Sequence, residues 1–419
     1  MAALAITIFL AALAVIALEW VHRTKVALVG AGLMVVFGVL DQEHAVEAVD
    51  WSTLGLLAGM MILVGLTERT GVFTYLALRV AQLSRGRPFM LVLLLSGVTG
   101  LLSAFLDNLT AILLIVPITL LLADLLGISA LPLVIVEVLA SNIGGTATLI
   151  GDPPNIMIGT RVAELSFLDF IVNLAPVALV TLAAASLLLY LMFRRQLVVA
   201  PERARQIARI DPARDMRGRP YVGRSIAVLG GTIVAFFLHT LLHLEPAVVA
   251  LVGATVLLLV AADDVEEALE RVEWSTIFFF IGLFVMVGGL EQRGVVERVA
   301  EGIADVTGGS RTGEALAILW GAAAGSALVD NIPFTAAMLP VVETLQEDGF
   351  DDSLWWALAL GACFGGNATL IAAAANVAAA GVLERSGQPL SFGRFLAAGL
   401  PVTVLSLVIA TAYLLLFQL

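Results

Sequence analysis

Two stretches of this chain repeat each other 223 positions apart, without a gap from a Trp-Ser-Thr triplet to a proline. Identical residues stand 223 positions after Trp51, Ser52, Thr53, Gly59, Gly65, Glu68, Gly71, Ser103, Asp107, Asn108 and Pro117. The offset then becomes 221, where residues 144–150 match 365–371 and Asn155 matches Asn376. A polar Asp-Asn pair kept twice inside apolar sequence is typical of a transporter built from two halves around a site at mid-depth in the membrane.

The composition predicts a membrane protein. The chain is 60% hydrophobic and 13% charged, its mean hydropathy is +1.03, and apolar stretches long enough to cross a bilayer occur all along it. The net charge of −12 and a pI near 4.8 give no support for nucleic-acid binding. The single cysteine, Cys363, excludes an intramolecular disulfide and a multi-thiol metal site within one chain.

Each half is predicted to hold five spanning helices and one hairpin that does not span. In the first half we expect helices at 2–20, 25–40, 52–67 and 170–193, a hairpin at 89–125 and a broken helix at 130–158. In the second half we expect helices at 224–243, 246–262, 275–291 and 394–417, a hairpin at 313–346 and a broken helix at 352–383. The predicted fold class is an all-α polytopic membrane protein with two inverted-topology repeats, because an odd number of crossings turns one half over. The predicted domains are repeat 1 at 1–193, a cytoplasmic Arg-rich linker at 194–223 and repeat 2 at 224–419.

The first apolar stretch has two interpretations, a cleaved signal peptide or a retained helix. No Lys or Arg precedes it, and residues 1–20 correspond to 224–243 at the 223 offset. We therefore expect a retained membrane helix.

Basic residues predict the orientation of the chain. The linker from Arg194 to Arg224 carries nine arginines, and a cytoplasmic linker puts eighteen Lys and Arg residues inside and four outside. Both termini then lie outside the cytoplasmic (inner) membrane, while the acidic run at 263–273 lies inside. The Arg-rich linker is better explained as a solvated cytoplasmic loop that fixes the orientation than as a binding patch for nucleic acid or lipid head groups.

Four carboxylates stand where hydrocarbon or buried protein is expected: Asp107, Glu137, Asp152 and Asp330. Each costs about 2.5–3.5 kcal/mol at the centre of a membrane helix and therefore needs a partner or a function. Asp107 and Asp330 each precede an Asn and a new apolar run, so they suit helix N-caps. A cap and an ion site are compatible, because a broken helix also frees carbonyl and carboxylate oxygens for cations.

A second polar constellation lies in the first broken helix. It consists of Ser141, Asn142, Gly144, Gly145, Thr146, Thr148, Asp152, Pro153, Pro154 and Asn155. Paired glycines permit unwinding and paired prolines stop a helix, although close helix packing also explains the glycines. The twin keeps Gly365, Gly366, Asn367, Thr369 and Asn376 but has Ala373 for Asp152 and Leu358 for Glu137. Charge coupling is therefore expected in the first half, with Glu137 either a proton carrier or a structural carboxylate.

The absent motifs argue against an enzyme. The sequence has no G-x-x-x-x-G-K-[ST] phosphate loop, so nothing in this chain hydrolyses ATP. It also lacks H-E-x-x-H and G-x-S-x-G, so an intramembrane hydrolase is poorly supported.

These motifs resemble the ion-transporter superfamily. The resemblance is carried by four runs: 103–108, 140–155, Asp330-Asn331-Ile332-Pro333 and 365–371. The closest group holds NhaD-type sodium/proton antiporters, ArsB-type arsenite permeases and the pigmentation P protein, and the match is nearest to its P-protein-like, citrate-transporter-like branch. The resemblance implies re-entrant hairpins, a homodimer, and a mobile domain of hairpins and broken helices that moves against a scaffold as an elevator.

The hairpin tips depart from one pattern of that superfamily. Its dicarboxylate carriers have Ser-Asn-Thr at both tips, whereas the tips here read Asp107-Asn108-Leu109-Thr110 and Asp330-Asn331-Ile332-Pro333. A dicarboxylate substrate is thus less expected. Arsenite could bind only through oxygen or as a neutral hydroxide, because Cys363 cannot form a trithiolate site alone.

The sequence therefore predicts a secondary active transporter of small ions, coupled to H⁺ or Na⁺, with an oxyanion or arsenite permease as the nearest competing hypothesis. A passive anion channel and a di- or tricarboxylate carrier are the further alternatives, whereas the buried Asp-Asn pairs kept twice argue against a membrane scaffold without transport. The expected ion-binding residues are Asp107, Asn108, Thr110, Ser141, Asn142, Gly144, Thr146, Thr148, Asp152, Asn155, Asp330, Asn331, Asn367, Thr369 and Asn376. No cofactor is expected beyond Na⁺ as coupling ion, at Asp107, Asn108, Asp330 and Asn331. The expected partners are the lipid bilayer, a small ion or anion, a second copy of the chain and, for an arsenite pump, a separate ATPase.

Overall fold

In a computed structural model, the described residues of the first half of the chain form ten helices. The described residues are 1–18, 20–200, 202–203, 205, 211–213, 221–261, 265–346 and 352–419. The helices of the first half are α1 Ala2–Ala17, α2 Arg23–Val36, α3 Gln42–Glu47, α4 Trp51–Glu68, α5 Val72–Ser84, α6 Pro88–Phe105, α7 Asn108–Leu126, α8 Leu131–Gly145, α9 Pro153–Arg161 and α10 Phe167–Phe193.

The second half repeats this order, so that each helix has a counterpart ten places later. Its described helices are α11 Val222–Leu242, α12 Pro246–Ala261, α13 Val265–Leu269, α14 Trp274–Glu291, α15 Val295–Thr307, α16 Arg311–Leu328, α17 Asn331–Gln346, α18 Ser353–Gly365, α19 Ala374–Arg385 and α20 Phe392–Phe417. Four arginines of the predicted linker (209, 214, 217 and 219) and two aspartates of the acidic run (263 and 264) lie outside the described residues.

The two halves interlock through matching pairs of helices. Helix α2 packs against α14, and α4 packs against α12, so the second helix of each half contacts the fourth of the other. In the same way α19 packs against α7 and α17 against α9. The predicted fold class, an all-α polytopic membrane protein with inverted repeats, is confirmed.

Length and composition identify candidate membrane spans among the described residues. Seven helical segments are long and apolar enough to cross a membrane, and both arms of the first hairpin, α6 and α7, are among them. Four shorter apolar helices also occur: α1, α8, α12 and α18. Since the arms of that hairpin are long enough to span, its re-entrant character stays a prediction.

Both predicted broken helices are interrupted. Helix α8 ends at Gly145 and α9 begins at Pro153, while α18 ends at Gly365 and α19 begins at Ala374. The residue before each second segment is extended, with φ −147° at Asp152 and −151° at Ala373. The break is thus built into the backbone of both halves, and only the first half places a carboxylate there.

Glycine allows the hairpin arm α6 to approach α8 closely. A Cβ at Gly144 would overlap the backbone of Gly100, and a Cβ at Gly365 would lie 2.6 Å from the carbonyl oxygen of Ala323. The corresponding pairs α6–α8 and α16–α18 are extensive contacts of each half. Close packing is therefore one role of these glycines, as one of the two interpretations predicted.

The topology predicted from the sequence omitted four helices. Helices α3 and α13 are short, and α5 and α15 link a spanning helix to each hairpin. In α15, Val296 and Ala300 are buried whereas Glu297 and Glu301 are exposed, so the helix is amphipathic. These segments were missed because a search for continuous apolar stretches overlooks helices with one polar face.

Candidate functional site

The tip of the first hairpin presents a capped helix start. Asp107 accepts hydrogen bonds from the backbone N–H of Thr110 at 2.9 Å and from the Thr110 hydroxyl. The next residue, Asn108, is buried and its Nδ2 donates to Oδ1 of Asn142 at 3.1 Å. The tip therefore meets the broken helix of its own half through an amide pair.

The tip of the second hairpin meets the broken helix of the other half. Asp330 accepts from the backbone N–H of Ile332 at 2.9 Å and pairs with Nη1 of Arg23 at 3.4 Å. The neighbouring Asn331 donates from Nδ2 to Oδ1 of Asp152 at 3.1 Å. Both predicted caps exist, and both tips also contact polar side chains at the breaks.

Asn142 joins the two halves at the centre of the molecule. Its Nδ2 donates to Oδ1 of Asn367 and to Oδ1 of Asn376, at 3.0 Å each. All three side chains are buried. We call the buried set of side chains here the polar cluster: Asn108, Asn142, Asp152, Asn331, Asn367 and Asn376.

Two asparagines hold the interrupted backbone in equivalent ways. Asn155 Nδ2 donates to the carbonyl oxygens of Thr146 at 3.0 Å and Thr148 at 2.8 Å. Its counterpart Asn376 donates to the carbonyl oxygens of Gly366 at 2.8 Å and Thr369 at 2.9 Å. Carbonyls freed by the breaks are therefore paired with amides, as buried backbone requires.

Threonines tie the breaks to the hairpins. The Thr148 hydroxyl donates to the carbonyl of Ala104, and the Thr369 hydroxyl donates to the carbonyl of Ala327 at 2.7 Å. Ala327 stands 223 positions after Ala104, so the two contacts are equivalent. Each hairpin is thereby fixed to the broken helix beside it.

The remaining predicted residues support this frame. The Ser141 hydroxyl donates to the carbonyl of Val138, and the Thr146 hydroxyl donates to the carbonyl of Asn142, both at 2.9 Å. Glu137 accepts from the hydroxyl of Thr119 on α7 and is fully buried. Glu137 thus contacts a neighbouring helix and does not line the cavity described below.

Two atoms of the polar cluster have no hydrogen-bond partner among the described residues. They are Oδ2 of Asp152 and Nδ2 of Asn367, both on fully buried side chains. A buried carboxylate oxygen without a partner in this part of the chain is a hard oxygen ligand of the kind that binds Na⁺ or H⁺.

A cavity of about 610 Å³ leads to the second hairpin tip. Its polar lining includes Arg23, Glu273, Thr276 and Asp330. A much smaller space of about 20 Å³ adjoins it between the two tips and is lined by Asp107, Asn108, Asn331 and Pro153, among others. The tips therefore lie at the inner end of a solvent-sized route.

Among the described residues, the route is open where the corresponding positions of the other half are closed. Val377 lines the cavity and is 38% exposed, whereas its counterpart in the first half, Ile156, is 1% exposed. Leu113 lines the cavity and is 42% exposed, whereas its counterpart, Ala336, is 2% exposed. The two halves thus have different conformations around one pseudo-symmetric site.

A closed-face network occupies the position that mirrors the cavity. It consists of Asp50, Thr53 and Thr160. The Thr160 hydroxyl lies 2.8 Å from Oδ2 of Asp50 and 2.7 Å from the Thr53 hydroxyl. Beside it, Arg161 pairs with Glu291 at 3.1 Å and with Glu343 at 2.7 Å. These contacts join the end of α9 to α4, α14 and α17.

Five polar residues of the cavity lining were not predicted as site residues from the sequence: His22, Arg23, Glu273, Ser275 and Thr276. They stand at the starts of α2 and α14, where charged residues are ordinarily assigned to solvated helix ends. The available signal was repeat position, since Glu273, Ser275 and Thr276 stand 223 positions after Asp50, Ser52 and Thr53. Repeat symmetry alone does not reveal which of the two faces is open.

A family model described as a citrate transporter (CitMHS) matches residues 13–361. The chain belongs to this family. An uncharacterized transporter of Mycobacterium tuberculosis is 42% identical over 422 residues, covering 99% of this chain and 98% of the relative. The 46 kDa membrane protein of Mycobacterium leprae is 40% identical over 422 residues, covering 99% and 98%. The chain is therefore a transporter and a multi-pass membrane protein.

More distant likenesses agree with the predicted superfamily. The human P protein is 35% identical over 487 residues, which cover 96% of this chain and 58% of the P protein. The YdaH transporter of Alcanivorax borkumensis superposes with a TM-score of 0.59 at 16% identity, covering 89% of this chain and 88% of that one. The likeness to the YdaH transporter, at 16% identity, supports the fold alone. The resemblance inferred from the motifs is confirmed.

Proposed function

We propose that this protein is a secondary active transporter that moves a small ion by alternating access, coupled to Na⁺ or H⁺. One observation carries the proposal: hairpin tips and broken helices from both halves meet at a polar cluster, and a cavity leads to it past residues whose counterparts in the other half are buried. Exchanging the conformations of the two halves would close the present cavity and open its mirror image. The site would then face each side of the membrane in turn.

The carboxylates provide the chemistry for coupling. Asp152 is fully buried, one of its oxygens has no hydrogen-bond partner among the described residues, and the other accepts from Asn331 at the second hairpin tip. A buried carboxylate is unfavourable as an anion unless a cation or proton joins it. Binding of Na⁺ or H⁺ would supply that partner. The ligands we propose are the oxygens of Asp107, Asn108, Asp330 and Asn331, with Asp152 on the inner side.

The arrangement of helices favours a mobile part and a fixed part. We propose that α6–α9 and α16–α19 form the mobile part, since each hairpin packs on a broken helix. Helices α2, α4, α12 and α14 form the fixed part, because they pack against one another across the two halves. We further propose a homodimer in the cytoplasmic membrane, with repeats at 1–193 and 224–419, an inside linker at 194–223 and both termini outside.

Flux in proteoliposomes tests the proposal. Purified protein is reconstituted with an internal pH dye and exposed to gradients of Na⁺, Li⁺, arsenite, chloride and citrate, the last because the matched family is described as citrate transporters. We expect saturable uptake against a gradient. We expect Asp107→Asn and Asp152→Asn to abolish it while the exposed control Asp305→Asn leaves it unchanged.

Two outcomes would reject the proposal. Undiminished pH- or Na⁺-driven uptake in both Asp variants would remove the role given to these carboxylates. Flux that only dissipates gradients and never concentrates a solute would indicate a passive channel instead of a carrier.

A further inference from the structure

Arg23 stands at the inner end of the cavity in an unusual setting for a basic residue. It is the first residue of α2, its side chain is 23% exposed, and it pairs with the 7% exposed side chain of Asp330. The pair joins two elements that belong to different parts of the fold, since α2 packs against α14 and Asp330 lies at the tip of the second hairpin. The ion pair thus crosses the boundary between the proposed fixed and mobile parts.

The backbone that carries Arg23 is held firmly. The hydroxyl of the next residue, Thr24, donates to the carbonyl of Ser275 at 2.7 Å, which ties the start of α2 to the start of α14. The guanidinium carbon lies 5.1 Å from the centre of the Phe279 ring, a favourable distance for a cation–π contact. The guanidinium would therefore stay in place if its carboxylate partner were taken by another cation.

The contact with Asp330 is weaker than an optimal ion pair. The Nη1–Oδ2 distance is 3.4 Å, whereas charge-assisted N–H···O bonds are ordinarily about 2.7–2.9 Å. Asp330 keeps its second oxygen on the backbone N–H of Ile332 at 2.9 Å. A cation at Asp330 could displace the guanidinium without removing the cap of the second tip.

We propose that Arg23 is the anion-recognition residue of the transporter and that Na⁺ binding at Asp330 makes it available. In the absence of Na⁺, Asp330 neutralises Arg23. When Na⁺ occupies Asp330, the partly buried guanidinium has lost its ion pair with that carboxylate, and only Glu273 of the cavity lining still offsets its charge, so it favours a small oxyanion from the cavity. The planar fork of Arg suits carboxylate and other oxyanions. The inference rests on the proposed function and adds the solute class.

One neighbour of Arg23 and its counterpart in the second half bear on the proposed binding of an anion. Glu273 lines the same cavity, but its Oε2 accepts from the Thr276 hydroxyl at 3.0 Å, and within the described ranges it forms no ion pair with Arg23. It would repel an incoming anion.

The position equivalent to Arg23 in the second half is Pro246, so the opposite face has no guanidinium at that position. Anion recognition of this kind belongs to one face.

Equilibrium binding in detergent tests the inference without requiring transport. The probes are ²²Na⁺, radiolabelled citrate and radiolabelled phosphate, and the last two distinguish organic from inorganic oxyanions. We expect Na⁺ to tighten binding of at least one anion in the unmodified chain. We expect Arg23→Gln to weaken that anion about tenfold or more, since it loses a charge-assisted hydrogen bond, and to tighten Na⁺ because its competitor is gone.

Three further variants sharpen the result. Lys25→Gln removes an exposed positive charge two residues away and should leave both affinities unchanged. Asp330→Asn should bind the anion without Na⁺, since the guanidinium is already free of its carboxylate. Glu273→Gln should bind the anion more tightly, because it removes a negative charge from the cavity.

The opposite changes in Na⁺ and anion affinity separate this role from a structural one. A misfolded or loosened Arg23→Gln protein would lose both affinities, and rescue by Arg23→Lys would be partial at best. Equal weakening of Na⁺ and anion, or no anion binding with or without Na⁺, would overturn the inference. Failure of flux with intact binding would instead count against the proposed transport cycle.

Discussion

The closed-face network offers a direct test of alternating access. Thr160 lies on α9 and its hydroxyl reaches Asp50 and Thr53 at the start of α4, at 2.8 and 2.7 Å. These contacts join the proposed mobile and fixed parts in the present state, and they would break when α9 moves away from α4. Thr160→Val keeps the shape of the side chain and removes the hydroxyl. We predict that it shifts the protein towards the state that opens the opposite face.

The contact with Asp50 sets the largest shift to expect, because the single hydroxyl hydrogen of Thr160 can also reach the carbonyl of Ile156, at 2.9 Å in the same helix. A hydrogen bond to a charged acceptor stabilises a protein by about 1.5–3 kcal/mol. If the bond exists in one state only, its removal changes the ratio of the two states about 10- to 150-fold, because 1.4 kcal/mol corresponds to a factor of ten. Such a change is large enough to reverse a moderate preference for the present state.

Cysteine labelling measures the shift. Ile156→Cys places a thiol at a site that is 1% exposed here and that mirrors the 38% exposed Val377, while the native Cys363 is fully buried. We expect Thr160→Val to accelerate maleimide labelling at position 156 and to slow it in a parallel Val377→Cys protein. Thr255→Val is the control, since that hydroxyl bonds the carbonyl of Leu251 within its own helix. Unchanged labelling at both positions would refute the reasoning.

Further predictions concern the frame of the site. Gly144→Ala should lower the melting temperature, because overpacking against backbone costs about 1–3 kcal/mol. Gly97→Ala is the control and should leave it unchanged, because a Cβ there has open space. Equal melting temperatures of the two variants would contradict this prediction. Asn142→Ala should reduce thermal stability and flux together, because each buried group left unpaired costs about 1–3 kcal/mol; a stable, active variant would count against the central amide junction. Native protein should resist maleimide at the buried Cys363 until it unfolds, and rapid labelling of folded protein would be inconsistent with the described packing.

The sequence predicted the helix breaks that carry the polar residues, because the signal of a break is local. An Asp-Asn pair inside an apolar run predicts a helix break wherever the chain folds, and both tips are caps with amide neighbours. The break at Asp152 follows from its two prolines in the same way. The break at Ala373 has no proline and was predictable through repeat symmetry alone.

The surroundings of the site were not predictable in the same way. Arg23 and Asp330 are separated by 307 positions, so their contact depends on how the halves interlock. The packing of α2 against α14 and of α4 against α12 likewise depends on the tertiary fold. Symmetry in the sequence implies equal halves, and only the packing reveals that corresponding positions such as Val377 and Ile156 differ in exposure.

The inequality between Arg23 and Pro246, and between Asp152 and Ala373, has a kinetic consequence. A carrier with two identical halves would offer the same half-saturation concentration to both compartments, because interchanging the halves converts one state into the other. This chain cannot do so, since its guanidinium and its third carboxylate have no counterparts. Its exchange rates should therefore differ between the two directions, while the final solute ratio stays fixed by the driving gradients.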